Sequence, residues 1–108
     1  MQNKKYLSML GLARRAGRLA MGHDTARDAV NKNKAKLLIF TSDASPRLFG
    51  EFERMESSVP ALRISETIEQ VHMALGYRAG VIAVTDENFA RRILELIEQE
   101  ENWYGDKN

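Results

Sequence analysis

Lys36-Leu37-Leu38-Ile39-Phe40-Thr41-Ser42 (residues 36–42) decides the fold. Four bulky apolar residues stand in a row with no polar residue between them. A strand with one wet face would alternate, so this run predicts a strand covered on both faces. Such a strand needs helices above and below it, and the flanking sequence supplies them. Upstream, Ala26, Ala29, Val30 and Asn33 recur at helical spacing, with Arg27, Asn31 and Lys34 turned outward. Asp24 or Thr25 is the expected N-cap of that helix, since either side chain can accept from the free amides of a first turn. Downstream, Ser45 is a candidate N-cap with Pro46 at the first helical position. Leu48, Phe52 and Met55 then share a face, with Phe49 beside them.

Farther out the same alternation continues. Residues 4–17 have helical spacing, with Tyr6, Met9, Leu10, Ala13 and Gly17 inward and Lys4, Arg14, Arg15 and Arg18 roughly opposite. Arg18 to Met21 is a short extended segment ending at Gly22. Ala61 to Ile64 reads as a strand, and Ser65 opens a helix with Ile68, Val71, His72 and Leu75 inward and Gly76 at its C-terminal cap. Gly80 to Thr85 is another buried strand. Asp86 caps a last helix whose Phe89, Ile93, Leu96, Ile97 repeat is the clearest period in the chain, with Glu95, Glu98, Glu100 and Glu101 on its wet side. The order predicts an α/β fold, a three-layer α/β/α sandwich around a small, mostly parallel sheet. The 108 residues suffice for one hydrophobic core, here one domain over residues 1–101. Residues 102–108 read as a frayed polar tail apart from Trp103 and Tyr104.

Charge is divided unevenly along the chain. Residues 1–36 carry nine Lys/Arg against Asp24 and Asp28, a net +7, whereas residues 37–108 carry seven against thirteen Asp/Glu, a net −6. The formal total of +1 hides this asymmetry, which suggests an anionic partner at the basic end, nucleic acid or membrane. A solvated basic face without a partner is the bland alternative. The absence of Cys excludes disulfides and thiolate metal sites, and two His are too few for structural zinc. Apolar runs such as 37–40 and 81–84 are four residues long, too short to span a bilayer. No secretory signal is visible, so a cytoplasmic protein without a membrane partner is expected. The Arg-rich helix over 4–17 also fits a transit peptide or a membrane-surface helix. Its Ala and Gly are better explained by packing on a sheet.

Few residues stand in a pattern that carries chemistry. Gly11, Gly17 and Gly22 are spaced by six and five with no strand before the first, which is not a nucleotide-binding loop. Ser65, His72 and Asp86 can be drawn as a hydrolase triad, but His72 falls on an apolar helix face and Ser65 serves as a cap. Carboxylates gather only on the last helix, with no cleft to shift their pKa. A non-catalytic protein with no metal, cofactor or small-molecule substrate is therefore expected. Anion binding remains. Gly22 permits close backbone approach, and the helix after it offers free amides and a favourable dipole. His23, Asp24 and Thr25 in that first turn are candidate contacts. Arg14, Arg15, Arg18, Arg27, Lys34 and Lys36 are expected to form one basic surface beside Gly22. No aromatic residues interleave with these cations, which suits a structured RNA better than an unpaired strand.

Gly22-His23-Asp24-Thr25-Ala26-Arg27-Asp28-Ala29-Val30-Asn31-Lys32-Asn33-Lys34-Ala35-Lys36-Leu37-Leu38 resembles the Gly-x-Asn-Glu-x-x-Lys-Ala-Ile…Lys-Ala-Lys-Leu-Val signature of the ribosomal protein L-seven-Ae family, whose members bind RNA kink-turns. Thr41 to Pro46 is similar to the family's Ala-x-Asp-x-x-Pro, and Val71 to Gly76 to its Leu-Gly-x-Ala-x-Gly. Val81 to Asp86 with Phe89-Ala90, and the opening Leu10 to Gly17, resemble its bacterial branch of ribosomal proteins. The resemblance implies a four-stranded mixed sheet between helices. It implies a structured RNA partner, ribosomal RNA included, held at the Gly-led start of the second helix and at the loop after the fourth, here Tyr77-Arg78-Ala79-Gly80. Asp24, Thr25 and Asp28 stand where the family has Asn, Glu and Lys, and His72 replaces a Gly. A carboxylate in place of Lys removes a donor and sets like charge near phosphate. A protein-interaction module on the same fold, having lost kink-turn specificity, is the alternative reading.

Overall fold

The computed structural model describes residues 4–101; the expected tail, with Trp103 and Tyr104, lies outside the described residues. Five helices and four strands alternate: α1 (Lys5–Arg15), β1 (Leu19–Met21), α2 (His23–Asn31), β2 (Leu37–Phe40), α3 (Pro46–Glu53), β3 (Ala61–Arg63), α4 (Ile68–Leu75), β4 (Val81–Val84) and α5 (Glu87–Glu101). The strands form one sheet in the order β1-β4-β2-β3. β1 and β2 each run antiparallel to β4, and only β2 and β3 are parallel. The sheet is thus mixed, as the family resemblance implies. The mostly parallel sheet expected from alternation alone is corrected, because β4 returns between β1 and β2 in the opposite direction.

The two central strands, β2 and β4, are buried along their whole length. Successive side chains point to opposite faces. Leu37, Ile39, Ile82 and Val84 therefore meet α1, α4 and α5 through Tyr6, Leu10, Val71, Leu75, Ile93, Leu96 and Ile97. Leu38, Phe40, Val81 and Ala83 meet α2 and α3 through Ala26, Ala29, Val30 and Phe52. These are the three layers. Where α2 crosses the sheet it presents Ala rather than bulky residues, which lets its backbone lie close to β1 and β4.

Helix ends account for most local differences from expectation. Gly17 does not extend the inward face of α1. It is exposed, at φ +73°, and it stops the helix: its amide donates to Arg14 O at 3.0 Å, and that of Arg18 to Ala13 O at 2.8 Å. Asn33, expected inward, lies past the end of α2 at φ +60° and is exposed. Thr67, not Ser65, caps α4, with Gln70 completing the reciprocal pair of bonds. Ser65 instead donates its amide to Glu101 at 3.0 Å. Lys4, Glu100 and Glu101 are likewise not a solvated face. Lys4 Nζ lies 2.7 Å from Glu101 and 3.1 Å from the buried Glu66, and the buried Tyr6 hydroxyl contacts both carboxylates. Burial, then hydrogen bonds to Glu66 and Glu101, push the Tyr6 phenol far up. Burial would raise the Glu101 carboxyl, but the bonds from Lys4 and Tyr6 outweigh it and hold the carboxyl below its ordinary range. No helix among the described residues is long and apolar enough to cross a membrane.

Candidate nucleic-acid interface

Four of the five described helices start under a side-chain cap. Glu100 accepts from the amides of Lys5 and Tyr6 at 2.9 and 3.2 Å, and Ser45 from Leu48 at 3.0 Å. Asp43 accepts from Ile68 at 3.0 Å, Thr67 from Gln70 at 3.1 Å, and Asp86 from Phe89 at 2.9 Å. α2 has none. Its N-cap is Gly22, at φ +98° and ψ 166°, not Asp24 or Thr25. Both of those lie inside the first turn, and neither side chain accepts from an amide there. Gly22 is pinned to the sheet by its amide, which donates to Val81 O at 2.9 Å. The amides of His23, Asp24 and Thr25 find no acceptor among the described residues. They point out of the helix start with the positive end of its dipole.

Two other elements converge there. A Cβ built on Gly22 would lie 3.7 Å from the Tyr77 hydroxyl, so the half-exposed Tyr77 ring stands beside the helix start. Gly76, left-handed at φ +81°, turns the chain out of α4 and into Tyr77, and the Arg14 guanidinium lies 3.9 Å from where its Cβ would be. Arg14, Leu19, Met21 and Tyr77 line a shallow groove of about 210 Å³. Gly22, Tyr77 and Arg14 are thus brought together from α2, the α4–β4 loop and α1.

The remaining candidates are placed otherwise. Arg27 and His23 turn onto α3, where Glu51 accepts from Arg27 at 3.0 Å and lies 2.8 Å from His23 Nε2. Arg27 also reaches Asp24 at 3.4 Å. It is turned away from Asp28, the position that the resemblance compares with a Lys. Asp28 pairs with Lys32 at 3.1 Å on an exposed surface. Arg78 pairs with Glu69, and the Ala79 methyl is buried in the core. Arg15 is exposed and lies back along Gly11.

The six cations do not all gather beside Gly22. Arg18 precedes β1 and lies 3.9 Å from Asp86, while Gly22 follows β1. About 13 Å of extended chain separates the two. Lys36 donates its amide to Val84 O, which puts it at the Arg18 end, and the exposed Lys34 follows the far end of α2. A short strand between Arg18 and Gly22 is what sequence proximity conceals. Ser65, His72 and Asp86 are not assembled either. Ser65 bonds Glu101, Asp86 caps α5, and His72 is half-exposed beside Glu69 rather than on the core face. No group of three His, Asp or Glu able to hold a metal occurs among the described residues. Glu51 was not visible from sequence as part of this surface. The one available signal was that His23 and Arg27 lie four positions apart and so share a face.

No family model matches the chain. It is 30% identical over 97 residues to the RNA-binding protein YlxQ of Enterococcus faecium, covering 88% of this chain and 93% of that one. The RNA-binding protein YlxQ of Bacillus subtilis is 26% identical over 103 residues, 91% of this chain and all of that one. Among solved structures, a protein of unknown function from Bacillus halodurans C superposes with a TM-score of 0.82 at 29% identity, over 89% of this chain and 99% of that one. A 15.5 kD RNA-binding protein of Giardia lamblia shares the fold, with a TM-score of 0.67 at 19% identity over 94% and 92% of the two chains. By its identity to the Enterococcus protein across nearly all of that relative's length, the chain belongs to the family of the RNA-binding protein YlxQ.

Proposed function

We propose that this protein binds structured RNA without catalysing a reaction, as a cytoplasmic, ribosome-associated protein that recognises a kink-turn-like bend. The observation that carries the reading is the uncapped, glycine-led start of α2 beside Tyr77 and Arg14. Free amides and a positive dipole end suit phosphate oxygens and the acceptor edges of purines. Gly22 lets the RNA approach the backbone, His23, Asp24 and Thr25 supply the first-turn contacts, and Tyr77, Arg78 and the Ala79 backbone flank them. Arg15, Arg18, Lys34 and Lys36 serve as outlying phosphate contacts. Relatives named as RNA-binding proteins support this class of partner.

An electrophoretic shift with a kink-turn RNA and with an uninterrupted RNA duplex tests the reading. The kink-turn is expected to shift at lower protein concentration. Asp28→Lys is expected to strengthen kink-turn binding by roughly 1–3 kcal/mol through a new base contact. Equal affinity for both RNAs, unmoved by Asp28→Lys, would remove kink-turn recognition. The second reading is a protein-interaction module, favoured by the exposed Asp24 and Asp28 carboxylates on the face where the family carries Asn and Lys. No shift with either RNA would support it.

A further inference from the structure

Glu51 lies on α3, yet its carboxylate is bound to two residues of α2, His23 at 2.8 Å and Arg27 at 3.0 Å. These two stack on one face of α2, while Asp24 and Asp28 lie about 100° round the helix. The His23 ring packs edge-on against Phe52, with centroids 6.2 Å apart, which fixes its side of the arrangement. Hydrogen bonds from His23 and then Arg27 hold the Glu51 carboxyl below its usual range, so it stays ionised. Arg27 is the only Lys or Arg within α2, and its side chain is still 42% exposed, open to a ligand from solvent. Glu51 takes Nη1 of Arg27 and Asp24 lies 3.4 Å from Nη2, so a phosphate that takes both nitrogens of the fork must displace the Glu51 contact.

We propose that Glu51 is a specificity-determining residue of the RNA site: by occupying Arg27 it withholds the one Lys or Arg of α2 from the phosphate backbone and suppresses binding to plain duplex. The inference rests on the RNA-binding reading above. A duplex offers this surface chiefly phosphates, which position but do not specify. A structured RNA can use the free amides of His23, Asp24 and Thr25 and does not need Arg27. Glu51 therefore lowers affinity for the first more than for the second.

Glu51→Gln keeps the size of the side chain and an acceptor oxygen but drops the charge. Titrations of the whole protein with an uninterrupted RNA duplex and with a kink-turn RNA, over a range of salt, test the proposal. For the duplex, the log–log salt slope is expected to steepen by about 0.8, one neutralised phosphate, which raises affinity roughly six-fold at 0.1 M salt relative to 1 M. Kink-turn affinity rises less, so the preference between the two RNAs narrows. Adding Arg27→Gln to Glu51→Gln returns duplex slope and affinity to those of the parent, a reversal that a merely structural Glu51 would not produce. An unchanged slope and preference in folded Glu51→Gln, or equal loss of binding to both RNAs, would overturn the proposal and leave RNA binding intact. A parent and a Glu51→Gln variant that both bind neither RNA would bring down the RNA-binding reading and this inference with it.

Discussion

At φ +98° and ψ 166°, Gly22 occupies a region of backbone space that is essentially reserved for glycine. The obstacle to a side chain there is conformation, not room, because the nearest atom to an added Cβ is 3.7 Å away. Gly22→Ala is therefore expected to cost roughly 1–3 kcal/mol of stability, read from the urea midpoint. It should also weaken RNA binding, by tilting the free amides of α2. Gly11→Ala makes the control: its Cβ would meet only the Arg15 side chain at 3.9 Å, and no loss is expected. Equal stability of the two variants would show that the Gly22 backbone is not strained. Gly22 was legible in the sequence because turn chemistry is local. Glu51 was not, since nothing along the chain says that α3 will be packed against the start of α2.

Helix starts differ in how their amides are satisfied: side chains close those of α1, α3, α4 and α5, and none closes that of α2. The α4 start is closed by Thr67, Gln70 and Asp43. Thr67→Ala is expected to cost about 1 kcal/mol of stability and to leave RNA affinity unchanged. A fall in affinity without a fall in the thermal midpoint would mean that α4 contributes to the site directly. The Ser45-Pro46 start of α3 and the Asp86 start of α5 could be read from sequence because cap and first turn are adjacent. Thr67 followed three residues later by Gln70 is an equally local signal, and it outweighs the Ser65 opening that the sequence also suggests. The end of α1 was harder. Helical spacing runs on through Gly17, and only the left-handed backbone there reveals the stop.

Across the whole molecule, the first described residues are tied to the last. Lys4 and Glu101 are 97 positions apart yet 2.7 Å from each other, with Tyr6, Ser65 and Glu66 gathered around them. No periodicity could have shown this, and the glutamates therefore read as a solvated face. The Glu101 carboxyl is held lower in the folded state than its ordinary 4.5. Its contribution to stability is thus fully present above that value and is lost as pH falls through the lowered folded pKa. Urea titrations at descending pH are expected to show stability falling over this window, and Glu101→Gln should flatten that part of the profile. A variant profile parallel to the parent's would mean that the cluster does not couple folding to pH. The charge asymmetry was legible as a count but not as a surface, because β1 carries Arg18 and Gly22 to opposite ends.

The uncapped start of α2 beside Tyr77 is where we propose that RNA is held. Backbone amide and aromatic side-chain shifts of the isotope-labelled protein, followed by NMR as a kink-turn RNA is added, test it most directly. The largest changes are expected at the amides of His23, Asp24 and Thr25 and at the Tyr77 ring, with smaller ones near Arg18 and Lys36. Changes confined to the Arg18, Lys34 and Lys36 end of the sheet, with the α2 start unmoved at saturating RNA, would contradict it.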